Sequence, residues 1–487
     1  MRLGDGCVHM QRPTTLALAL ILALAPLACG DTEDARADSL SATGLTSVTA
    51  ASGVSVGTSV TGITGASDGT PTGTGTGSES EGAGGSSGEG GTGPKLDIPE
   101  FETDGVAPCS EYWKPETQAE IFQYIWIANS AEGTVSKIDT KSGVEVGRYR
   151  VAPGESDPSR TSVNLFGDVA VADRAGGITK IAAQVERCDE TLNGQPGLQT
   201  SSGAADVRAF GDDDCVLWRT PLPGGDGPEL HSAGPRPVAW EPALGADQCP
   251  ADLARVWVGW FDYPQKVGHV ARLNGKTGAI EDEVEIADWG VHKAGPYGGA
   301  VNRDGDLWML GWNTGPLVRI DHQSLAVTRL EIPPPPSGAK YYVYGIAVDR
   351  NGDPWLAGEQ TVYHYDVLAD AWHHIDIVEG RMRGLQIDLT GRAFIALNKP
   401  AGLVVVDTTT RTLLNPSVPL PGGLMPVGVS IDIDGRAWVV DRDANTAFAV
   451  NPDTYEVELS VGGLVTPYTY SDMTGYGLGL VAQQPVG

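Results

Sequence analysis

Three observations predict an all-β chain, a seven-bladed β-propeller preceded by a disordered tether. A unit that opens on Gly, alternates apolar residues, turns at an Asp/Asn–Gly pair and ends on Trp or Phe recurs from Gly298, Gly345, Gly384 and Gly428, at spacings of 47, 39 and 44 residues. That is the length of a four-stranded blade. From each unit's aromatic (Trp126, Trp257, Trp308, Trp355, Phe394, Trp438) to a downstream Asp or Asn the separations are 13, 17, 13, 11, 13 and 13 residues. Finally, all 33 aromatics of the 487 residues lie at or after Phe101, so the part before it has no aromatic with which to build a core.

Residues 1–28 read as a signal peptide. Arg2 and Arg12 precede a twelve-residue apolar run, Leu16–Leu27, followed by Ala28-Cys29-Gly30. The run is too short for a membrane-spanning helix, which needs ~20 residues. The position of Cys29 resembles the lipobox of bacterial lipoproteins, which implies lipidation at Cys29 and attachment to a membrane through the lipid. By the same resemblance Gly30 points to the outer membrane of the cell envelope, with the domain periplasmic or surface-exposed.

Residues 29–108 form the tether. Gly, Ser and Thr supply 37 of the 54 residues from Ser41 to Pro94, a composition that cannot bury enough surface to offset its ordering entropy. Such a coil reaches ~50 Å. Gly88, Gly90 and Gly93 satisfy a G-x-G-x-x-G count, but neither a strand nor an amphipathic helix flanks them, so the dinucleotide reading fails.

The propeller is expected over residues 109–487. Its first unit starts at the Trp126 strand, Phe166–Asp173 starts the second, Pro235–Pro242 the third, and the four Gly-led units complete seven blades; six or eight fit the spacing less well. The first unit lacks an inner strand and Tyr468–Val481 reads as a Gly-led strand without a Trp partner, so the C-terminus should complete the first blade and close the ring. Period-2 alternation between turn dipeptides gives no helix after Cys109. The acidic turns around Asp304, Asp349 and Asp432 lack the Glu of a calcium loop and sit where hairpins need Asp and Gly.

These GxAVDxxGxxWxA units resemble NHL and YVTN-type propellers, and their order is similar to the virginiamycin B lyase family over about Ile121 to Val481. The ending PYTYSDMTGYGL, with the Cys29 context, resembles uncharacterised bacterial propeller lipoproteins. The lyase resemblance implies a His base and a magnesium ion held by Glu near the central channel. Only Glu359 offers a comparable carboxylate, and no His stands at a matching place. The expected function is therefore a ligand- or protein-binding module, with an envelope protein among the candidate partners; a lyase or hydrolase using the channel face is the alternative.

A formal charge of −29 leaves no cation surplus for nucleic acid. With Cys7 removed and Cys29 acylated, four cysteines remain, enough for two disulfides in three connectivities. Cys188–Cys215, across the insertion of the second unit, and Cys109–Cys249 are expected. Neither CxxC nor H-E-x-x-H occurs, and G-x-S-x-G falls only within the Gly/Ser/Thr-rich tether, where it makes no nucleophile elbow, so no cofactor is expected and no metal site is assigned, magnesium or calcium being the cations to consider. The segment before each inner strand should ring the channel mouth. These segments supply the candidate ligand-binding residues His292, Tyr297, Tyr341, Tyr342, Tyr344, Arg381, Arg383, Tyr470 and Asp472, with Lys293 and Tyr468 beside them. Arg381 and Arg383 favour an anionic or carboxylate-bearing ligand, because guanidinium forks match such oxygens.

Overall fold

Alternating apolar residues between tight turns leave each strand with one face to bury, and stacking blade on blade buries it. The computed structural model describes residues 112, 114–225, 233–245, 249–251, 254–290, 292 and 294–482. The signal peptide, Cys29, the tether, Cys109 and Lys293 lie outside the described residues.

Four four-stranded antiparallel sheets begin at Pro158–Val163, Val238–Trp240, Pro296–Val301 and Pro426–Ile431, and a three-stranded sheet comprises Tyr124–Asn129, Thr134–Asp139 and Glu145–Arg150. A six-stranded sheet from Val343–Val348 to Thr412–Pro419 contains two more blades. Within it the strand Pro354–Asp366 doubles back at Gln360, whose φ is 67°, and lays His364 on Trp355 with ring centroids 4.3 Å apart. The strand Ala371–Ile387 ends one blade and begins the next. The ring therefore has the seven blades expected.

The C-terminal chain completes the first blade. Tyr468 N donates to Ala128 O (3.2 Å), Trp126 N donates to Met473 O (2.9 Å), and Asn129 bridges Pro467. Beyond Met473 the expected strand is replaced by a helix, Tyr476–Ala482, and a second helix, Pro115–Ile121, precedes the first blade. Both contradict the expectation of no helix. Pro115 at the first helical position with Glu116 beside it is a start signal that the strand periodicity obscured. The second unit also begins earlier than expected: Phe166–Asp173 is a turn followed by the blade's second strand, and the inner strand is Pro158–Val163. Among the described residues no helix is long and apolar enough to cross a membrane.

The repeated aromatics are the blade cores. Trp126, Trp257, Trp355, Phe394 and Trp438 are fully buried and Trp308 nearly so, each stabilising by about 5 kcal/mol at ~25 cal/mol per Å². Trp355 and Trp438 donate their indole N–H to Asp349 (3.0 Å) and Asp432 (2.8 Å), so the acids of the Asp–Gly turns anchor the tryptophans as well as the turns. The downstream Asp/Asn anchors cap the next hairpin: Asp139 and Asp321 accept backbone N–H groups from Ser142 and Ser324. Cys188 and Cys215 form the expected disulfide across the insertion.

The glycines that open each unit face neighbouring inner strands near the axis. A Cβ on Gly428 would lie 1.9 Å from Thr469 O, one on Gly345 2.3 Å from Arg383 O, and one on Gly384 2.7 Å from Tyr470 Cβ. The repeat begins with Gly because the ring converges there.

Candidate functional site

At the same point of five inner strands the pairing register slips: between Pro158 and Arg160, Pro296 and Gly298, Val343 and Gly345, Met382 and Leu385, and Pro426 and Gly428. The slipped positions include Ser159, Tyr297, Tyr344 and Arg383. A β-bulge re-aims the side chain it displaces, and here the displaced tyrosines and arginine meet in one cluster at one end of the channel.

Tyr297, Tyr342, Tyr344 and Tyr470 pack together with Ala294, and Trp312 and Tyr468 close over them. Ring centroids lie 5.1 Å apart for Tyr297–Tyr344, 4.9 Å for Tyr344–Tyr470 and 5.5 Å for Tyr468–Tyr470. The Tyr468 hydroxyl sits between those of Tyr297 (2.9 Å) and Tyr344. Burial raises the pKa of both Tyr297 and Tyr344, keeping their hydroxyls protonated and able to donate.

Three arginines enter this cluster. Arg383 is 1% exposed, 4.4 Å from the Tyr344 ring; Arg236 is 2% exposed, 4.7 Å from the Tyr297 ring. Arg160 is fully buried and stacks on the Tyr470 ring. Its fork reaches only carbonyls, Ser159 O at 3.3 Å and Tyr297 O at 3.2 Å, and its Nε has no hydrogen-bond partner. The neighbouring Ser159 hydroxyl and the Tyr470 hydroxyl are likewise buried without partners. Desolvation, assisted by the like charge of Arg236, pushes the Arg160 pKa down to about 9.

The structure divides the residues expected at the mouth. Tyr297, Tyr342, Tyr344, Tyr470 and Arg383 meet in the cluster. His292 lies at its edge, 5.7 Å from Trp312, with Nε2 3.0 Å from the Asn313 amide; burial lowers its pKa. Tyr341 turns away and donates to Thr314 O (3.0 Å) and Ile332 O, holding a loop. Arg381 is separated from Arg383 and lies 3.7 Å from Glu359, which Lys340 also reaches at 3.0 Å. Asp472 accepts backbone N–H groups from Gly475 (2.8 Å) and Leu478 (2.9 Å), capping the C-terminal helix, and burial raises its pKa. Two small cavities adjoin the inner strands, one of about 10 Å³ at Gly298, Gly345, Gly384 and Tyr470 and one of about 40 Å³ lined by Ser162, Gln386 and Asp472, each with room for little beyond water.

Sequence reasoning missed Arg160 and Arg236. In the second blade Arg160 pairs with Ala172 and Ala170 stands where other blades carry Trp, so the repeat that marks other channel positions is absent there.

The histidines with acidic neighbours lie elsewhere. His322 meets Asp306 at 3.0 Å and His364 meets Asp353 at 3.4 Å, at the turn end of their blades. Asp349, Asp353 and His364 bring ligand atoms within 4.8 Å of one another. In the fourth blade Arg319, which faces Trp308 as His364 faces Trp355, pairs with Asp306, whereas in the sixth and seventh Arg392 and Arg436 stand where the fifth has Asp353 and pair with Asp388 and Asp432, so His364 stands where the fourth blade has a structural cation.

No family model matches this sequence, and no curated protein does. Among solved structures, the chain is similar to a streptogramin B lyase structure, at 14% identity over 65% of this chain and 87% of that one, with a TM-score of 0.46. It is similar to virginiamycin B lyase from Staphylococcus aureus at 14% identity (65% and 89% covered, TM-score 0.44) and to AztD from Citrobacter koseri at 10% (71% and 96% covered, TM-score 0.43). At these identities the likeness is one of fold.

Proposed function

We propose that this protein is an exported, lipid-anchored propeller that binds a small molecule carrying a carboxylate or phosphate on an apolar or sugar body, at the Tyr- and Arg-walled end of its channel. The observation that carries the reading is Arg160. A guanidinium removed wholly from water without a carboxylate beside it costs several kcal/mol, and its Nε and the Tyr470 hydroxyl, both buried without partners, are donors that an oxyanion would satisfy. Arg236 and Arg383 add positive potential, and the tyrosines supply the apolar walls and further donors. On a chain of −29 such a spot selects anions by local structure against the overall field. The lyase or hydrolase alternative needs a His–carboxylate pair at the mouth, where His292 meets the Asn313 amide instead.

Calorimetric titration with benzoate and with phenyl phosphate tests this. Saturable binding of either, lost in Arg160→Met, is expected. Absence of binding by both, or binding indifferent to Arg160, would overturn the reading.

A further inference from the structure

We propose that anion binding at the channel and closure of the ring are one event: a carboxylate or phosphate held by Arg160 Nε and the Tyr470 hydroxyl clamps the C-terminal segment onto the second blade. The inference rests on the anion-binding reading above and adds to it what the ligand does to the protein.

The closing segment is held by few main-chain bonds. Residues 467–473 join the strand Tyr124–Asn129 through Trp126 N to Met473 O, Tyr468 N to Ala128 O and the bridge of Asn129 with Pro467. The same strand meets Thr134–Asp139 on its other side at six consecutive positions. Side-chain bonds tie the segment to other blades as well, the Tyr468 hydroxyl to Tyr297 and Tyr344 among them. Thr469 and Thr161 hydroxyls lie 3.3 Å apart, Met473 N donates to Ser430 Oγ at 3.2 Å, and the Thr474 hydroxyl donates to Ile431 O at 2.6 Å. A segment so attached opens locally at lower cost than a fully laddered strand.

Two of the aromatic residues of the site belong to this segment. Tyr468 carries the hydroxyl shared with Tyr297 and Tyr344, and Tyr470 carries the ring on which Arg160 lies. Glycines make this meeting on the axis possible: the Cβ position of Gly384 is 2.7 Å from Tyr470 Cβ. Arg160 Nε and the Tyr470 hydroxyl are both buried without partners, and an oxyanion taken up by the two would accept at ~2.9 Å from each donor. Such an anion would join the inner strand of the second blade to the closing strand of the first. The open ring, with Tyr470 withdrawn, would lose half of the site. A ligand that binds only the closed form stabilises it by mass action.

The test is hydrogen exchange by mass spectrometry on the full chain, with and without benzoate or inorganic phosphate, on wild type and Tyr470→Phe, which keeps the stacking ring and removes the hydroxyl. Expected is at least a tenfold slowing of exchange over 467–474 when a probe is bound, a smaller effect elsewhere in the ring, and at least tenfold weaker binding in Tyr470→Phe. The benzoate and phosphate arms show which oxyanion is accepted. Binding to wild type with no slowing at 467–474, or with Tyr470→Phe binding equally well, overturns the coupling and leaves the anion site standing. If neither probe binds wild type, the anion site falls and the coupling with it.

Discussion

Replacing Arg160 by Met separates what this residue does for the fold from what it does for binding. Burial pushes its pKa down to about 9, because keeping a charge in the channel away from water costs several kcal/mol. The residue returns part of that through stacking on Tyr470, which is worth about 2 kcal/mol when desolvated. Its two bonds to carbonyls return about 1 kcal/mol each. Met fills a similar volume and removes the charge, so the expected change in unfolding free energy is within about 1 kcal/mol of zero, with stabilisation as acceptable as loss. Arg319→Met is the contrast: Arg319 pairs with Asp306, whose side chain is 1% exposed, and breaking that pair should cost about 3 kcal/mol. Guanidinium denaturation at neutral pH, followed by tryptophan fluorescence, measures both. A loss above about 3 kcal/mol for Arg160→Met would refute the reasoning, because it would mean that the charge is compensated inside the protein and not held ready for a ligand.

Other outcomes follow from the same geometry. Gly428→Ala, with its new methyl 1.9 Å from Thr469 O, should cost at least about 2 kcal/mol or aggregate, whereas Gly479→Ala, with nothing within 4 Å, should be neutral or stabilising by up to ~1 kcal/mol, as thermal melting will show. Ending the chain at Thr466 removes the buried Tyr470, Met473, Leu478, Leu480 and Val481. Their burial is worth about 10 kcal/mol as an upper estimate, so aggregation or a large fall in melting temperature is expected; a truncated domain melting within a few degrees of the intact one would contradict closure by this segment. Asp306 starts from a burial penalty that the bonds from His322 and Arg319 outweigh, so its pKa is lowered. The stability it contributes is present above the ordinary Asp pKa near ~4 and lost as pH falls through its lower native value, and Asp306→Asn should flatten acid unfolding in that window. Cys29→Ser should move the protein from the membrane to the soluble fraction of cells; unchanged membrane partitioning with no fatty-acid incorporation in wild type would remove the lipid anchor.

The blade architecture was legible because a propeller repeats one physical problem. Each unit must turn a hairpin at Asp–Gly, bury one large aromatic against the next blade and pass its neighbour at the axis without a side chain, and Gly298, Gly345, Gly384 and Gly428 record the last requirement. The mouth was partly legible, since Tyr297, Tyr344 and Arg383 stand just before those glycines. What sequence order could not supply was the direction of a side chain at a bulge, which buries Arg383 with Tyr344 and leaves Arg381 near Glu359. Arg160 was hidden for a different reason: it occupies an inner-strand position in the blade whose core aromatic is missing. The helix Tyr476–Ala482 escaped notice because its two glycines argue against helix, and tertiary packing of Leu478, Leu480 and Val481 overrides that preference.

The most direct test of the central claim is anomalous diffraction from crystals of the full chain grown in bromide, a heavy anion that reports where the protein accepts negative charge. A bromide peak is expected in the channel within hydrogen-bond reach of Arg160 Nε and Tyr470 Oη, absent in Arg160→Met. Bromide confined to exposed lysines and arginines, with none beside Arg160, would contradict it.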